Sequence, residues 1–199
     1  MKLSISEFEA MQMPWRKWYI EKIELNTFKK FGLDIKGKDI LEIGCGNGYA
    51  ASLIVKEKPN SYVGLDIMKQ QLSLAKERKL DNATFIEGSA DDLSQFKDKS
   101  FDVILDFCIL HHVEGWRIFF DECQRVLKDD GCIYIADLSK RCIHIVDALL
   151  HWDHNEEALF TFKEFEAEAN KRGFVTTKKA IDLGLEGYFK FQKKEVIQK

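Results

Sequence analysis

From Asp39 to Asp137 the chain alternates between short apolar runs and amphipathic stretches. "DILEIG" reads as a strand and "NGYAASLIVKEK" as a helix that ends before Pro59; "SYVGLDI" and "KQQLSLAKERK" repeat the pair. "ATFIEG" is a third strand. "FDVILDFCI" is a fourth, followed by the helix "WRIFFDECQRVLK" and a fifth strand, "GCIYIADL". Strands and helices in strict alternation call for a parallel sheet with helices on both faces. The strands are almost continuously apolar, as strands covered on both sides must be. An α/β fold is the expectation.

The flanks are less regular. "WRKWYIEKIELNTFKKFG" sets Trp15, Trp18, Tyr19, Ile20 and Ile23 at helical spacing, with Gly32 placed to cap the C-terminus. After Asp137, "SKRCIHIVDALLHWDHNEEALFTF" reads as helical in part, then "FKEFEAEANKRG" as a helix. Two last strands, "FVTTKKAI" and "GLEGYFKFQKK", can pair as an antiparallel unit. A chain of 199 residues is expected to form one domain, 1–199. Lys190, Lys193, Lys194 and Lys199 read as a solvated edge strand and tail.

A net charge of -3 offers no bulk attraction to nucleic acid. The five cysteines, Cys45, Cys108, Cys123, Cys132 and Cys142, are odd in number and form no C-x-x-C pair. Neither a disulfide framework nor a cysteine zinc site is expected, and free thiols point to a reducing, cytoplasmic setting. The first residues hold no apolar core of signal-peptide length, and no stretch approaches the ~20 apolar residues of a membrane span.

"LEIGCGNGYA", Leu41 to Ala50, brings a glycine turn directly after the first strand, where backbone must approach a ligand closely. A dinucleotide fingerprint requires G-x-G-x-x-G; Gly44 and Gly46 fit, but Tyr49 stands in the third place. A phosphate loop fails as well, because no G-K-[ST] follows. Glu42, beside the turn, would repel a pyrophosphate and suits a cationic group. Asp66, ending the second strand, can accept hydrogen bonds from both hydroxyls of a ribose. A ribose and a positive group with no phosphate between them is the outline of S-adenosylmethionine (SAM). Two plainer readings stay open: Gly48 as helix-start geometry, and Asp66 as a helix cap.

Five stretches together, "DILEIGCGNGYA", "YVGLDI", "FIEGSADDL", "SFDVILDFCILHHV" and "ECQRVLKDDGCIYIAD", resemble the class I SAM-dependent methyltransferases. The resemblance is to the small-molecule branch that includes the ubiquinone/menaquinone and sterol enzymes, and it covers about half the chain. It implies a Rossmann-like fold, with a seven-stranded, mostly parallel sheet and an antiparallel terminal strand. SAM is the implied cofactor and S-adenosylhomocysteine the product. Gly44, Cys45, Gly46 and Gly48 would wrap its methionine and ribose portion, and Glu42 would meet the ammonium through water. Asp66 would hold the ribose and Ile67 would pack on the adenine, whose edge Ala90 and Asp91 would read. Asp106 and Phe107 match positions beside the methionine and the reacting methyl. Ser89 stands where the family usually has aspartate, and "KDDGC" replaces lysine-proline-glycine-glycine at a surface turn.

The implied chemistry asks mainly for alignment of an acceptor with the methyl–sulfur bond. His111 and His112, just after the fourth strand, are the candidate proton-transfer residues. His151, Asp153 and His154 have metal-like spacing, but no third ligand is assigned and no metal site is expected. Cys108 and Asp102 read as structural. Residues 1–35 would form a mobile helical lid and 138–172 the acceptor side, with Trp15, Tyr19, His111 and Trp152 in a mostly apolar pocket for a small, partly apolar acceptor. "DFCI" lacks the [DNS]-P-P-[YFW] run of amino-methylating DNA, RNA and glutamine enzymes, so a small molecule is the expected partner, with a monomer or homodimer. The alternatives are an RNA or protein methyltransferase, a SAM-binding regulatory protein without turnover and, from another class, a dehydrogenase.

Overall fold

The structure, a computed structural model, describes residues 5–194, with side chains from residue 8 onward. Seven strands form one sheet: β1 (Asp39–Ile43), β2 (Ser61–Asp66), β3 (Ala83–Glu87), β4 (Phe101–Phe107), β5 (Leu127–Leu138), β6 (Phe174–Asp182) and β7 (Glu186–Lys193). Their order across the sheet is β3-β2-β1-β4-β5-β7-β6. The first five pair in parallel, and β7 runs antiparallel to both β5 and β6. This is the seven-stranded, mostly parallel arrangement that the alternating sequence and the resemblance imply.

Side chains along a strand alternate between faces, so each strand feeds two cores. Leu41, Ile43, Ile104, Ile133 and Ile135 face one side, with α6 (Trp116–Val126) and α8 (Phe162–Lys171) packed on them. Ile40, Val103, Leu105, Tyr134 and Ala136 face the other, under α3 (Leu25–Lys30), α4 (Tyr49–Ile54) and α5 (Lys69–Glu77). Burying both faces explains why the strands carry few polar residues.

Local signals set the helix ends. α1 (Ile5–Ala10) and α2 (Pro14–Tyr19) precede a π-helical turn over Ile20–Glu24 that runs into α3. Gly32, at φ 86°, closes α3, its N–H donating to Lys29 O and that of Leu33 to Phe28 O. Thr161 and Glu164 form a reciprocal capping box at the start of α8. α7 (Lys140–Leu150) begins where the Ser139 hydroxyl accepts from Cys142 N.

One expectation is corrected. β7 is no edge strand but lies between β5 and β6, and its lysines are engaged: Lys190 Nζ sits 5.3 Å from the Tyr134 ring centre, and Lys193 Nζ donates to Leu127 O at 2.6 Å. Long lysine stems lie along apolar surface while the ammonium reaches a polar partner, which makes such a strand read as solvated. Lys199 and residues 1–4 lie outside the described residues. Asp102 is structural as expected, accepting from Asp39 N and pairing with Lys128 Nζ at 2.8 Å. None of the five cysteines is bonded to another, and no described helix is long and apolar enough to cross a membrane.

Candidate functional site

Strand order reverses between β1 and β4: from β1 the chain builds outward to β3, then returns to lay β4 on its other side. In open α/β sheets the crevice at such a reversal, beyond the C-terminal strand ends, is where ligands bind. A cavity of about 990 Å³ opens there, floored by the loops after β1, β2 and β4 and walled by α2 and α7.

The glycine turn forms one wall. Gly44 and Gly46 take φ 61° and 51°. A Cβ on Gly44 would meet the Ile109 side chain at 2.6 Å, so the turn and the loop after β4 fit together only without one. Gly46 N donates to Asp66 Oδ2 and Met68 N to Asp66 Oδ1, both at 2.8 Å. Asp66 therefore caps no helix with its side chain, since α5 begins after Met68 without a side-chain cap. It closes its own turn and ties β2 to the glycine turn. Burial lifts its pKa, against the backbone N–H groups of Met68, Gly46 and Ile67.

Glu42, Gly44, Cys45, Gly46, Asp66, Ile67, Ala90, Asp91 and Phe107 all line the cavity, so the sequence gathers its cofactor candidates in one place. Two do not reach it. Gly48 is the residue before α4, at φ 71°, and a Cβ there would meet Ala75 at 3.0 Å; its role is helix-start geometry. Asp106 is fully buried behind the cavity wall, with Oδ1 accepting from Ile109 N. Burial and the charge of Asp137 hold its carboxyl well above the usual range. Alternation explains the miss: Phe107 turns to the cavity, so Asp106 turns to the opposite face.

Carboxylates dominate the polar lining. Glu42 accepts from the Tyr62 hydroxyl, and burial pushes its pKa up to about 8. Glu24 is raised to about 7 by burial, against the pull of Arg16. Arg16 Nη1 pairs with Glu24 Oε2 at 2.6 Å while Nη2 donates to Phe107 O at 2.9 Å, and both side chains are buried. Tyr19, on the same cavity, donates its hydroxyl to Glu186. An acid-lined pocket with its one buried arginine already paired suits a cationic ligand.

At the other end, Cys108 leaves β4 in a left-handed conformation, φ 67°, and the chain turns back through Leu110–His112. The turn buries His111 and sets His112 beside it, ring centres 4.1 Å apart. His111 Nδ1 lies 2.5 Å from Asp137 Oδ1 and its backbone N–H donates to Oδ2 at 3.3 Å. Burial and the neighbouring His111 and His154 hold His112 well below the usual histidine range, so it is neutral. Burial also raises the Cys108 thiol. Trp15, Tyr19 and Trp152 line the same cavity.

His154 does not join His151 and Asp153, both exposed. Its ring stacks on His112 at 4.9 Å, and its Nδ1 lies 2.5 Å from Asp147 Oδ1. Arg16, Glu24 and Asp137 were not singled out from the sequence. Arg16 sits amid aromatics that read as one helix face, and Asp137 is 26 residues from its histidine.

A sequence family described as a methyltransferase domain matches residues 34–195. The phthiotriol/phenolphthiotriol dimycocerosates methyltransferase of Mycobacterium tuberculosis is 39% identical over 108 residues, 53% of this chain and 40% of that protein. The fatty-acid O-methyltransferase of Mycolicibacterium smegmatis is 34% identical over 110 residues, 54% of this chain and 40% of that protein. The chain thus matches less than half the length of either. A SAM-dependent methyltransferase from Aquifex aeolicus has the same fold, with a TM-score of 0.74 and 18% identity over 96% of this chain and 98% of that one.

Proposed function

The chain belongs to the methyltransferase domain family, and from that premise we propose that it transfers the methyl group of SAM to a small, largely apolar acceptor. The observation that carries this reading is the Gly46–Asp66 unit at the reversal of strand order, facing an acid-lined cavity. Asp66 keeps acceptor capacity for the ribose hydroxyls while its own turn fixes its orientation. Glu42 answers the ammonium of the methionine portion, and Glu186 adds an acidic group to the same cavity. No group in the unit favours a pyrophosphate.

A cavity of about 990 Å³ has room beside the cofactor for a second ligand. Its acceptor side is walled by Trp15, Ile143, Val146, Leu150 and Trp152. An acceptor with an apolar chain and an oxygen at its reacting end fits that wall, and one of the two relatives is named a fatty-acid O-methyltransferase. The sulfonium supplies the activated methyl, so alignment of the two ligands accounts for much of the rate. His111, its tautomer fixed by Asp137, lines the cavity, and its other nitrogen serves the acceptor's reacting end.

The N-terminal helices act as a cover over the acceptor. Arg16 anchors α2 to β4. Calorimetric titration with SAM and S-adenosylhomocysteine, with NADH as the control, tests the cofactor assignment. Micromolar binding of the first two that is weakened in Asp66→Ala is expected. Binding of NADH alone would return the fold to the dehydrogenase reading.

A further inference from the structure

His111 and His112 follow β4, and His154 follows α7, yet the three rings share one end of the cavity. Ring centres are 4.1, 5.6 and 4.9 Å apart, and one nitrogen from each ring lies within 4.8 Å of the other two. Two of the rings are held in the same manner: His111 Nδ1 by Asp137 and His154 Nδ1 by Asp147, each at 2.5 Å. A carboxylate on one ring nitrogen fixes the tautomer and makes the other a stronger ligand, the usual support behind a metal-bound histidine. Packing alone needs no such pair of dyads converging on a third imidazole.

We propose that His111, His112 and His154 form a site for one divalent transition-metal ion of the zinc type, to which the acceptor coordinates as a further ligand. Three imidazoles and an open position are the ligand set of catalytic rather than structural zinc. Three neutral ligands leave the ion its full charge, which selects an acceptor that coordinates through an anionic or ionisable oxygen or sulfur. A second grouping, Cys108 with His111 and Asp137, is the poorer choice. Asp137 already accepts from His111 and from the backbone N–H of Leu138 at 2.6 Å.

The role toward the acceptor rests on the methyl-transfer reading; metal binding itself does not. A coordinated hydroxyl gives its proton to solvent, and the oxygen pair then forms a bond to the methyl carbon. The carbon–sulfur bond breaks, its electron pair stays on sulfur, and S-adenosylhomocysteine leaves as a neutral sulfide. A carboxylate acceptor needs no proton loss. In either case the metal holds His111 as a ligand, so the ring takes no proton in the step.

The test is titration of the chelator-treated full chain with Co²⁺, without SAM, followed by visible absorption and calorimetry. One Co²⁺ per chain is expected, with the intense visible bands of low-coordinate cobalt, displaced by Zn²⁺. His154→Ala should weaken binding by at least ~100-fold. Asp147→Asn, at a partly exposed position, should weaken it ~10- to 100-fold with stoichiometry unchanged. Circular dichroism verifies the fold of each variant. No saturable Co²⁺ binding in the unaltered chain, or full binding by folded His154→Ala, would overturn the site. Because SAM titration is a separate measurement, Co²⁺ binding without SAM binding removes only the methyl-transfer reading, and the converse removes only the metal.

Discussion

Gly46 donates its backbone N–H to Asp66 Oδ2 across 2.8 Å, so the glycine turn after β1 and the carboxylate ending β2 form one unit. Asp66→Ala removes the ribose acceptor and releases the turn together. Calorimetry should show SAM and S-adenosylhomocysteine affinity down by ~10- to 100-fold, the range of hydrogen bonds to a charged group. Asp66→Asn, which keeps one acceptor oxygen, should lose less. Equal affinity in all three proteins would separate the turn from the cofactor.

Glu42 gives a signature in pH. With its pKa at about 8 it is largely protonated at pH 7, and an ammonium group brought beside it favours the ionised form. S-adenosylhomocysteine binding at pH 7 should therefore release close to one proton, falling off above pH 8. The slope of binding enthalpy against buffer ionisation enthalpy reads the release, and Glu42→Gln should abolish it. In the free protein the same shift has a stability sign. The unfolded carboxyl ionises near 4.5 while the folded one resists until about 8, so stability falls as pH rises through that window. Glu42→Gln should melt progressively higher than the parent over the same interval.

Arg16→Met leaves Glu24 buried without its partner and Phe107 O without its donor. Breaking a buried pair from one side costs about 3–5 kcal/mol. Chemical denaturation should show a loss of that size, much larger than for Trp15→Ala on the same helix, since Trp15 is 56% exposed. Removing residues 1–19 would combine both effects, so Trp15→Ala is the cleaner probe of the cover. It should raise the acceptor KM while leaving S-adenosylhomocysteine affinity in place.

His111→Gln keeps a polar group against Asp137 but removes the ring nitrogen that Asp137 does not hold. Methyl transfer should fall by ~10²-fold or more, with cofactor affinity unchanged. An unaltered turnover number would leave His111 a packing residue.

The parallel half of the sheet was legible because both-faced burial writes itself into five apolar runs, and one wall of the cavity because the glycine turn and Asp66 sit at strand ends. What escaped depends on contacts between distant segments. Asp137 reads as the end of a strand until the loop after β4 brings His111 against it. His154 pairs by sequence spacing with His151 but in space with His112. Asp106 and Phe107 look interchangeable as neighbours, yet the pleat sends only Phe107 to the cavity. The lysines of β7 suggested solvent because a sequence records the charge and not the Tyr134 ring beneath it.

The place of β7 bears on how the chain is made. β6 is synthesised first but pairs with β7 alone, while β7 also pairs with β5. Until residues 186–193 have left the ribosome, β6 has no partner and β5 keeps an open flank ready to take up a foreign strand. The sheet closes from its middle with its latest piece. A stall in translation before that point would yield a chain holding its glycine turn and an adhesive edge together.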